Sequence, residues 1–172
     1  FNKSVNVDLT VQGDLSRILK VVNKKIEEKE IIFKKKKIKD WWFQINKWRS
    51  KDCLKFKNSN KIIKPQHALK RLDFLTKEYN PYITTEVGQH QMWAAQFLTF
   101  NKPKHWMTSG GLGTMGYGLP AAMGVQIAHP NSLVIDVAGE ASILMNIQEM
   151  STIKQFRLPV KVFILNNHYM GM

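Results

Sequence analysis

Two short apolar segments joined by a helical pattern constrain the fold of this chain more than any other feature. Residues 133–137 and 160–165 have the length and composition of buried strands. Pro159 ends a helical segment between them. The apolar residues of that segment recur near one helical face: Ile147, Met150, Ile153 and Phe156. Strands joined by one helix are normally parallel neighbours with a right-handed crossover. We therefore predict a β-α-β unit in a parallel sheet, which is an α/β fold.

Both of these strands are followed by residues that could hold a ligand. Glu140, Ala141 and Ser142 follow the first strand, and Asn167 lies in the turn after the second. The carboxyl ends of parallel strands share one edge of a sheet, where α/β proteins bind ligands, so Glu140 and Asn167 should converge. Their oxygens suit Mg²⁺ when a phosphate completes the shell. The N–H groups of Ala141 and Ser142, at the start of a helix, suit that phosphate. The alternative is an ordinary β-α-β unit with polar turns.

A run with five glycines is the second strong signal. Residues 108–122 read Thr-Ser-Gly-Gly-Leu-Gly-Thr-Met-Gly-Tyr-Gly-Leu-Pro-Ala-Ala, and Pro120 should begin a helix. So many glycines predict a backbone that bends tightly and presents N–H and C=O groups to a bound molecule. Met115, among these glycines, could fill a gap in the core or support a flat ring. The run matches neither the dinucleotide-binding pattern Gly-x-Gly-x-x-Gly nor a P-loop, so both are excluded.

A smaller glycine turn follows a predicted strand at residues 82–85. Gly88 allows the backbone to approach a ligand closely, and a helical stretch follows at residues 92–97. Gln89 and His90 would add side-chain donors beside the N–H groups of the helix, an arrangement that suits a phosphate. The alternative for His90 is a histidine satisfied by local hydrogen bonds.

The first third of the chain has weaker signals. One strand is predicted from alternating apolar residues at Val5, Val7, Leu9 and Val11. Asp14 should cap a helix with an apolar stripe at Leu15, Ile18, Leu19, Val22 and Ile26. Residues 27–39 are charged, which is typical of a linker or solvated surface, with a basic docking patch as the alternative. A short helix that packs an aromatic face on a neighbour is predicted from Trp41, Ile45 and Trp48. Residues 51–64 should form a loop, and Pro65 should begin a helix.

The charge and composition exclude several classes of protein. A net charge of +13 is compatible with nucleic-acid binding, but residues 1–80 hold 21 Lys and Arg against 9 Asp and Glu, while residues 81–172 hold 5 against 4. The excess is therefore confined to the first half and is mostly Lys, so we predict no nucleic-acid partner. No apolar run approaches a membrane span, and no signal peptide is expected. Cys53 is the single cysteine, which excludes an internal disulfide. The chain starts at Phe1 and ends just after a turn, so we expect a fragment of a longer polypeptide.

Together these segments resemble the thiamine-diphosphate enzymes, and in particular the large subunits of acetolactate (acetohydroxyacid) synthase. The similarity is nearly letter for letter in Glu-Val-Gly-Gln-His-Gln-Met-Trp-Ala-Ala-Gln at residues 86–96 and in the glycine run at 108–122. Gly-Glu-Ala-Ser at 139–142, followed by Asn-Asn at 166–167, resembles the cofactor signature of the wider superfamily. The resemblance implies a parallel-sheet domain with helices on both faces, preceded by the tail of another α/β domain.

The resemblance also implies roles for individual residues. The diphosphate would be contacted by Val87, Gly88, Gln89, His90, Ala141 and Ser142. The rings of the cofactor would be lined by Gly113 and by Met115, which would hold the cofactor bent. The Mg²⁺ positions would be taken by Glu140, Asn167 and the backbone carbonyl of Tyr169. Glu140 stands where the family has aspartate, and its extra methylene should weaken metal and cofactor binding, because Mg²⁺ demands near-ideal geometry.

The implied reaction condenses two 2-oxo acids (pyruvate with pyruvate or 2-oxobutanoate) with loss of CO₂, the first common step of branched-chain amino acid biosynthesis. No catalytic residue is implied here, because the activating glutamate of the family lies in an N-terminal domain and acts across a dimer interface. We expect this chain alone to be inactive on pyruvate. The alternatives are a non-catalytic remnant or interaction subunit, and another thiamine-diphosphate decarboxylase or carboligase.

The resemblance implies an organisation and partners as well. Residues 1–30 would be the tail of an FAD-binding middle domain, 31–64 a linker with a tryptophan-bearing helix, and 65–172 the thiamine-diphosphate domain. FAD is expected in the full-length enzyme. The implied partners are small 2-oxo acids, a second copy in a homodimer and a regulatory small subunit, in a bacterial cytoplasm or a plastid.

Overall fold

The computed structural model describes residues 2–29 and 35–172, which fall into two compact units divided between Cys53 and Leu54. The first unit contains helices α1 (Leu15–Glu28) and α2 (Lys35–Arg49). The second unit contains the sheet and the remaining helices. In the described ranges, none of the helices combines the length and the apolar character needed to cross a membrane.

Helix α1 follows its sequence signals, but the strand predicted before it does not form. The Asp14 side chain caps α1 by accepting a hydrogen bond from the Arg17 N–H at 2.9 Å. Residues 2–14 contain no strand, and the four alternating apolar side chains (Val5, Val7, Leu9 and Val11) are all exposed. A strand needs a neighbour to accept its hydrogen bonds, and alternation alone does not supply one. This prediction is wrong for the chain as described.

Helix α2 begins within the charged segment and contains the predicted tryptophan-bearing face. The sequence predicts a linker or solvated surface over residues 27–39. Residues 27–28 end α1 and 35–39 begin α2, while 30–34 lie outside the described residues. Trp41 and Trp48 share one side of the helix and meet edge to face, with ring centroids 5.5 Å apart. They are 57% and 48% exposed, so the predicted burial of an aromatic face is not found in the described first unit.

The second unit is built on a parallel sheet of four described strands in the order β2-β1-β3-β4. The strands are β1 (Tyr82–Thr85), β2 (Trp106–Thr108), β3 (Val134–Gly139) and β4 (Lys161–Leu165). All three pairings are parallel, and Gly139 pairs in register with Leu165. The predicted β-α-β unit is therefore confirmed, and so is the strand at residues 82–85. Strand β2 has only three residues and was not predicted.

Helices cover both faces of this sheet, as the resemblance implies. The helices are α3 (Pro65–Thr76), α4 (Gln89–Phe97), α5 (Gly118–Ala128) and α6 (Glu149–Gln155). Successive strand residues point to opposite faces. Ile135 and Val137 of β3 therefore join one core with residues of α3 and α4, whereas Ala138 joins a second core with Leu119 of α5. Pro65 begins α3, as predicted, and the loop at 51–64 is also observed.

The segment between β3 and β4 is less regular than its sequence pattern indicates. A short 3₁₀ turn, Ile143–Asn146, comes first, and α6 starts only at Glu149. Of the predicted apolar face, Ile153 packs on the second core, while Ile147, Met150 and Phe156 are exposed. The change of helix type rotates the side chains away from the single stripe that a continuous α-helix would present.

Candidate functional site

A cavity of about 370 Å³ lies at the carboxyl edge of the sheet, a volume that suits a small cofactor. All eleven site residues predicted from the sequence line it: Val87, Gly88, Gln89, His90, Gly113, Met115, Glu140, Ala141, Ser142, Asn167 and Tyr169. They come from the turns after β1, β3 and β4 and from the glycine-rich segment. The predicted convergence of Glu140 and Asn167 on one cavity is therefore observed.

The turn after β1 holds an imidazole ring between two glycines. Gly88 has φ of 152°, and a Cβ there would lie 2.6 Å from His90 Cε1. A Cβ on Gly139 would lie 2.6 Å from His90 Nδ1, so both positions must lack a side chain for the ring to fit. Burial lowers the pKa of His90, against the opposing effects of a backbone hydrogen bond with Glu86 and the nearby Glu140 carboxylate. His90 is thus a neutral hydrogen-bonding group at the cavity wall.

Ser142 is tied to the same histidine. The buried hydroxyl lies 3.2 Å from both the N–H and the C=O of Gly139 and 3.4 Å from His90 Nε2. These contacts hold the hydroxyl within the protein, where it bonds to the turn and to the histidine. The helix expected to begin here is the 3₁₀ turn, so a long α-helix does not point its N-terminus at this position.

The three predicted metal ligands line the same cavity, and one of them has an unsatisfied oxygen atom. Glu140 Oε1 is buried and has no hydrogen-bond partner among residues 2–29 and 35–172. Asn167 Oδ1 accepts a hydrogen bond from the Tyr169 N–H at 3.0 Å, which forms a local turn after β4. In the described ranges, no group of three or more His, Cys, Asp or Glu side chains could hold a metal ion. The predicted ligands are one carboxylate, one amide oxygen and one backbone carbonyl, and Mg²⁺ prefers oxygen ligands of these kinds.

The glycine-rich segment is fastened to the sheet by Glu86, a residue to which the sequence analysis gave no role. Glu86 is fully buried, and its carboxylate accepts hydrogen bonds from the N–H of Gly116 at 2.6 Å and of Leu119 at 3.0 Å. Asn146 donates to the C=O of Gly116 at 2.6 Å from the other side. Gly113 and Gly116 have φ of 67° and 87°, values that favour glycine and produce the tight bends predicted for this run.

A second buried carboxyl group lies on β3. Asp136 is fully buried, and its Oδ1 accepts a hydrogen bond from Thr84 Oγ1 at 3.0 Å. Its Oδ2 has no partner in the described part of the chain. Burial, together with the charge of Glu86, raises the pKa of Asp136 from 3.8 to about 7. The only sequence signal for this residue is its place inside an apolar strand, where an acidic residue is unusual.

This raised pKa predicts a pH-dependent stability. Between pH 4 and 7 the folded chain holds a proton on Asp136 that the unfolded chain releases, so stability should fall as pH rises, by about 1.4 kcal/mol per pH unit. Replacement of Asp136 with asparagine should remove this component. Urea unfolding of both proteins from pH 4.5 to 8 measures the difference, which should favour the variant increasingly up to pH 7 and then level off. Parallel stability curves would contradict the prediction.

Six further residues line the cavity beyond those predicted: Trp93, Gly139, Leu165, Met170, Gly171 and Met172. Trp93 and Leu165 contribute apolar wall from α4 and the end of β4. Gly139 could have been found from its place beside Glu140 at the end of a strand. The last three follow the Asn-Asn turn, and only their nearness to that turn could have pointed to them.

Comparison with known proteins is consistent with this geometry. Residues 86–172 match the thiamine pyrophosphate enzyme family in its C-terminal TPP binding domain. The acetolactate synthase isozyme 3 large subunit of Escherichia coli (strain K12) is 46% identical over 171 residues, which cover 99% of this chain and 30% of that protein. The chloroplastic acetolactate synthase of Arabidopsis thaliana is 45% identical over 171 residues, 99% of this chain and 25% of that protein.

The chain therefore spans less than a third of the length of these curated relatives. The family match covers half of the chain and includes β3, β4 and every residue of the cavity wall. The resemblance noted in the sequence is thus confirmed at the level of the family. This chain belongs to the thiamine pyrophosphate enzymes and contains their C-terminal TPP binding domain.

Proposed function

We propose that this chain is the cofactor-binding part of an acetolactate synthase, an enzyme that condenses two 2-oxo acids with loss of CO₂. The observation that carries the proposal is the buried, unpartnered Oε1 of Glu140, a residue that lines the described cavity. A buried carboxylate is stabilised by a cation, and Mg²⁺ bound to a diphosphate would be a suitable one. The named relatives support the choice of reaction within the family.

The proposed binding mode divides the cavity into three parts. The turn containing Val87, Gly88, Gln89 and His90, together with Ala141 and Ser142, would contact the diphosphate. Glu140, Asn167 and the Tyr169 carbonyl would hold Mg²⁺. Gly113 and Met115 would support the rings. Neutral His90, fixed between Gly88 and Gly139, would offer a directed hydrogen bond rather than a mobile charge.

When bound, thiamine diphosphate supplies the chemistry that removes CO₂ and forms the new carbon–carbon bond. The residues of this chain bind it, orient it and exclude water. Trp93 and Leu165 give the cavity an apolar wall, and residues 169–172 also line it. No residue of this chain is proposed to be catalytic, so the activating glutamate would come from another part of the enzyme.

The wider setting is also part of the proposal. The whole enzyme would act on small 2-oxo acids such as pyruvate, as a homodimer with its active site between subunits and with a regulatory small subunit. Residues 1–30 would belong to a middle domain that binds FAD, 31–64 would link it to the cofactor domain, and 65–172 would be that domain. The relatives from a bacterium and from a chloroplast support a bacterial cytoplasm or a plastid.

A second candidate function is a non-catalytic member of the family that keeps the fold. Glu140 is the feature in its favour, because a glutamate reaches farther than the aspartate that the family signature has at this position. A displaced ligand would weaken the Mg²⁺ site, since this ion tolerates little geometric error. The affinity for the cofactor separates the two candidates.

Calorimetric titration of the full 172-residue chain with thiamine diphosphate tests the proposal. We expect saturable one-to-one binding in the presence of Mg²⁺, and little binding in EDTA. Thiamine without the diphosphate is the control ligand and should bind far more weakly, because the contacts of two of the three parts of the cavity would be lost. Equal affinity with and without Mg²⁺, or no binding at all, would reject the proposed function.

A further inference from the structure

The backbone of Gly116 is held on both sides within the glycine-rich segment. Its N–H donates to Glu86 Oε2 and its C=O accepts from Asn146 Nδ2, both at 2.6 Å. Gly116 has φ of 87°, and a Cβ there would lie 2.8 Å from Met145 Cβ. The segment is therefore held between the end of β1 and the 3₁₀ turn after β3, without a side chain of its own.

The Glu86 carboxylate accepts hydrogen bonds from two backbone N–H groups that belong to different elements. Gly116 belongs to the bend, whereas Leu119 lies in the first turn of α5, whose N–H groups have no partner within the helix. A carboxylate is the side chain suited to this position, because each of its oxygens accepts and its charge is favourable at a helix N-terminus. Glu86 thus joins β1, the bend and α5.

We propose that Glu86 is a positioning residue that sets the ring-binding part of the cavity. Its carboxylate fixes Gly116, and the cavity residues Met115 and Gly113 are one and three positions earlier in the chain. A Cβ on Gly113 would lie 3.8 Å from Val87 Cγ1, and Val87 follows Glu86 directly. The two residues that follow β1 therefore contribute to the cavity wall and hold the neighbouring glycine-rich part of that wall in place. The inference rests on the proposed function, because it concerns where the rings would bind.

The test replaces Glu86 with glutamine, which has nearly the same shape but only one accepting oxygen. One of the two N–H groups would then face an NH₂ group, and its hydrogen bond would be lost. Amide hydrogen exchange in the cofactor-free chain, measured by NMR, should become faster at Gly116 or Leu119. The dissociation constant of thiamine diphosphate with Mg²⁺ should rise about tenfold or more. The affinity for inorganic diphosphate with Mg²⁺, which would contact the other two parts of the cavity, should change less than about twofold.

Two more variants separate positioning from general damage to the fold. Glu149→Gln changes a carboxylate that accepts a hydrogen bond from Thr152 within α6 and does not line the cavity, and should leave exchange at Gly116 and the affinity for the cofactor unaltered. Asn146→Ala removes the hydrogen bond to the C=O of Gly116 by a change at a half-buried residue. It should weaken cofactor binding, as Glu86→Gln does.

Each result has a distinct meaning. Unchanged amide exchange in Glu86→Gln would contradict the claim that the Glu86 carboxylate holds Gly116 and Leu119. Faster exchange with unchanged cofactor affinity would contradict the claim that Glu86 sets the ring-binding part of the cavity. Equal losses for thiamine diphosphate and inorganic diphosphate would also overturn the inference, since the effect would not be confined to the ring-binding part. Failure of the unaltered chain to bind thiamine diphosphate would reject the proposed function itself, and the exchange data would still report on the fastening.

Discussion

Replacement of Gly118 with alanine is expected to be the most destabilising single-methyl change in the second unit. The added Cβ would overlap Asp136 Oδ1 and would lie 2.6 Å from the backbone N of Glu86 and 2.8 Å from the carbonyl carbon of Thr85. These atoms belong to the central strands β1 and β3, which cannot move without breaking their ladders. We expect a loss of about 3 kcal/mol or more in the free energy of unfolding.

Gly124 in the same helix provides a matched control. No atom lies within 4 Å of a Cβ built on Gly124, so alanine there meets open space. Because alanine favours the helix, Gly124→Ala should stabilise the chain by up to about 1 kcal/mol. Urea unfolding of the two variants measures both effects. If Gly118→Ala were as stable as Gly124→Ala, the close packing of α5 on the sheet would be contradicted.

The largest effect on binding is expected at Glu140. Glu140→Gln removes the charge from the unpartnered oxygen, and the dissociation constant of thiamine diphosphate with Mg²⁺ should rise roughly a hundredfold, about 3 kcal/mol. Glu140→Asp should instead tighten binding, because the shorter side chain restores the reach found in the family signature. Calorimetry across a range of Mg²⁺ concentrations distinguishes a change in metal affinity from a change in cofactor contacts.

Glu149→Gln is the control for this pair of variants. Glu149 accepts a hydrogen bond from Thr152 within α6 and does not line the cavity, so its charge should matter little to the ligand. If the unaltered chain, Glu140→Gln and Glu140→Asp bound thiamine diphosphate with Mg²⁺ equally well, the assignment of Glu140 as a metal ligand would be contradicted. The remaining cavity residues would then have to account for any binding.

Local patterns predicted much of the second unit because the relevant signals are short-range. The strand at 82–85, the β-α-β unit and the glycine bends follow from apolar runs and from glycine, which acts on the backbone directly. Convergence of the two polar turns follows from the rule that parallel strands share a carboxyl edge. The eleven cavity residues came from the resemblance as well as from these patterns.

Other features depend on contacts that no local pattern contains. The carboxylate of Glu86 reaches Gly116 and Leu119, about thirty positions away, only because α5 packs on β1. The alternating segment at residues 5–11 has the pattern of a strand, but pairing needs a neighbour that the described chain does not provide. The 3₁₀ turn at 143–146 ends at Asn146, whose side chain bonds to the C=O of Gly116, and the apolar spacing does not encode this contact.

The parallel pairing of the sheet has a consequence for synthesis on the ribosome. Parallel strands cannot pair as hairpins, because each needs a crossover connection before its partner is available. Strand β1 pairs with β3 some fifty residues later, and β3 pairs with β4 only after a further crossover. A nascent chain that has emerged only to residue 130 therefore contains β1, β2 and the cavity residues up to Met115, but lacks β3 and β4, which complete the sheet. Chaperones that shield apolar segments would be needed most during that interval.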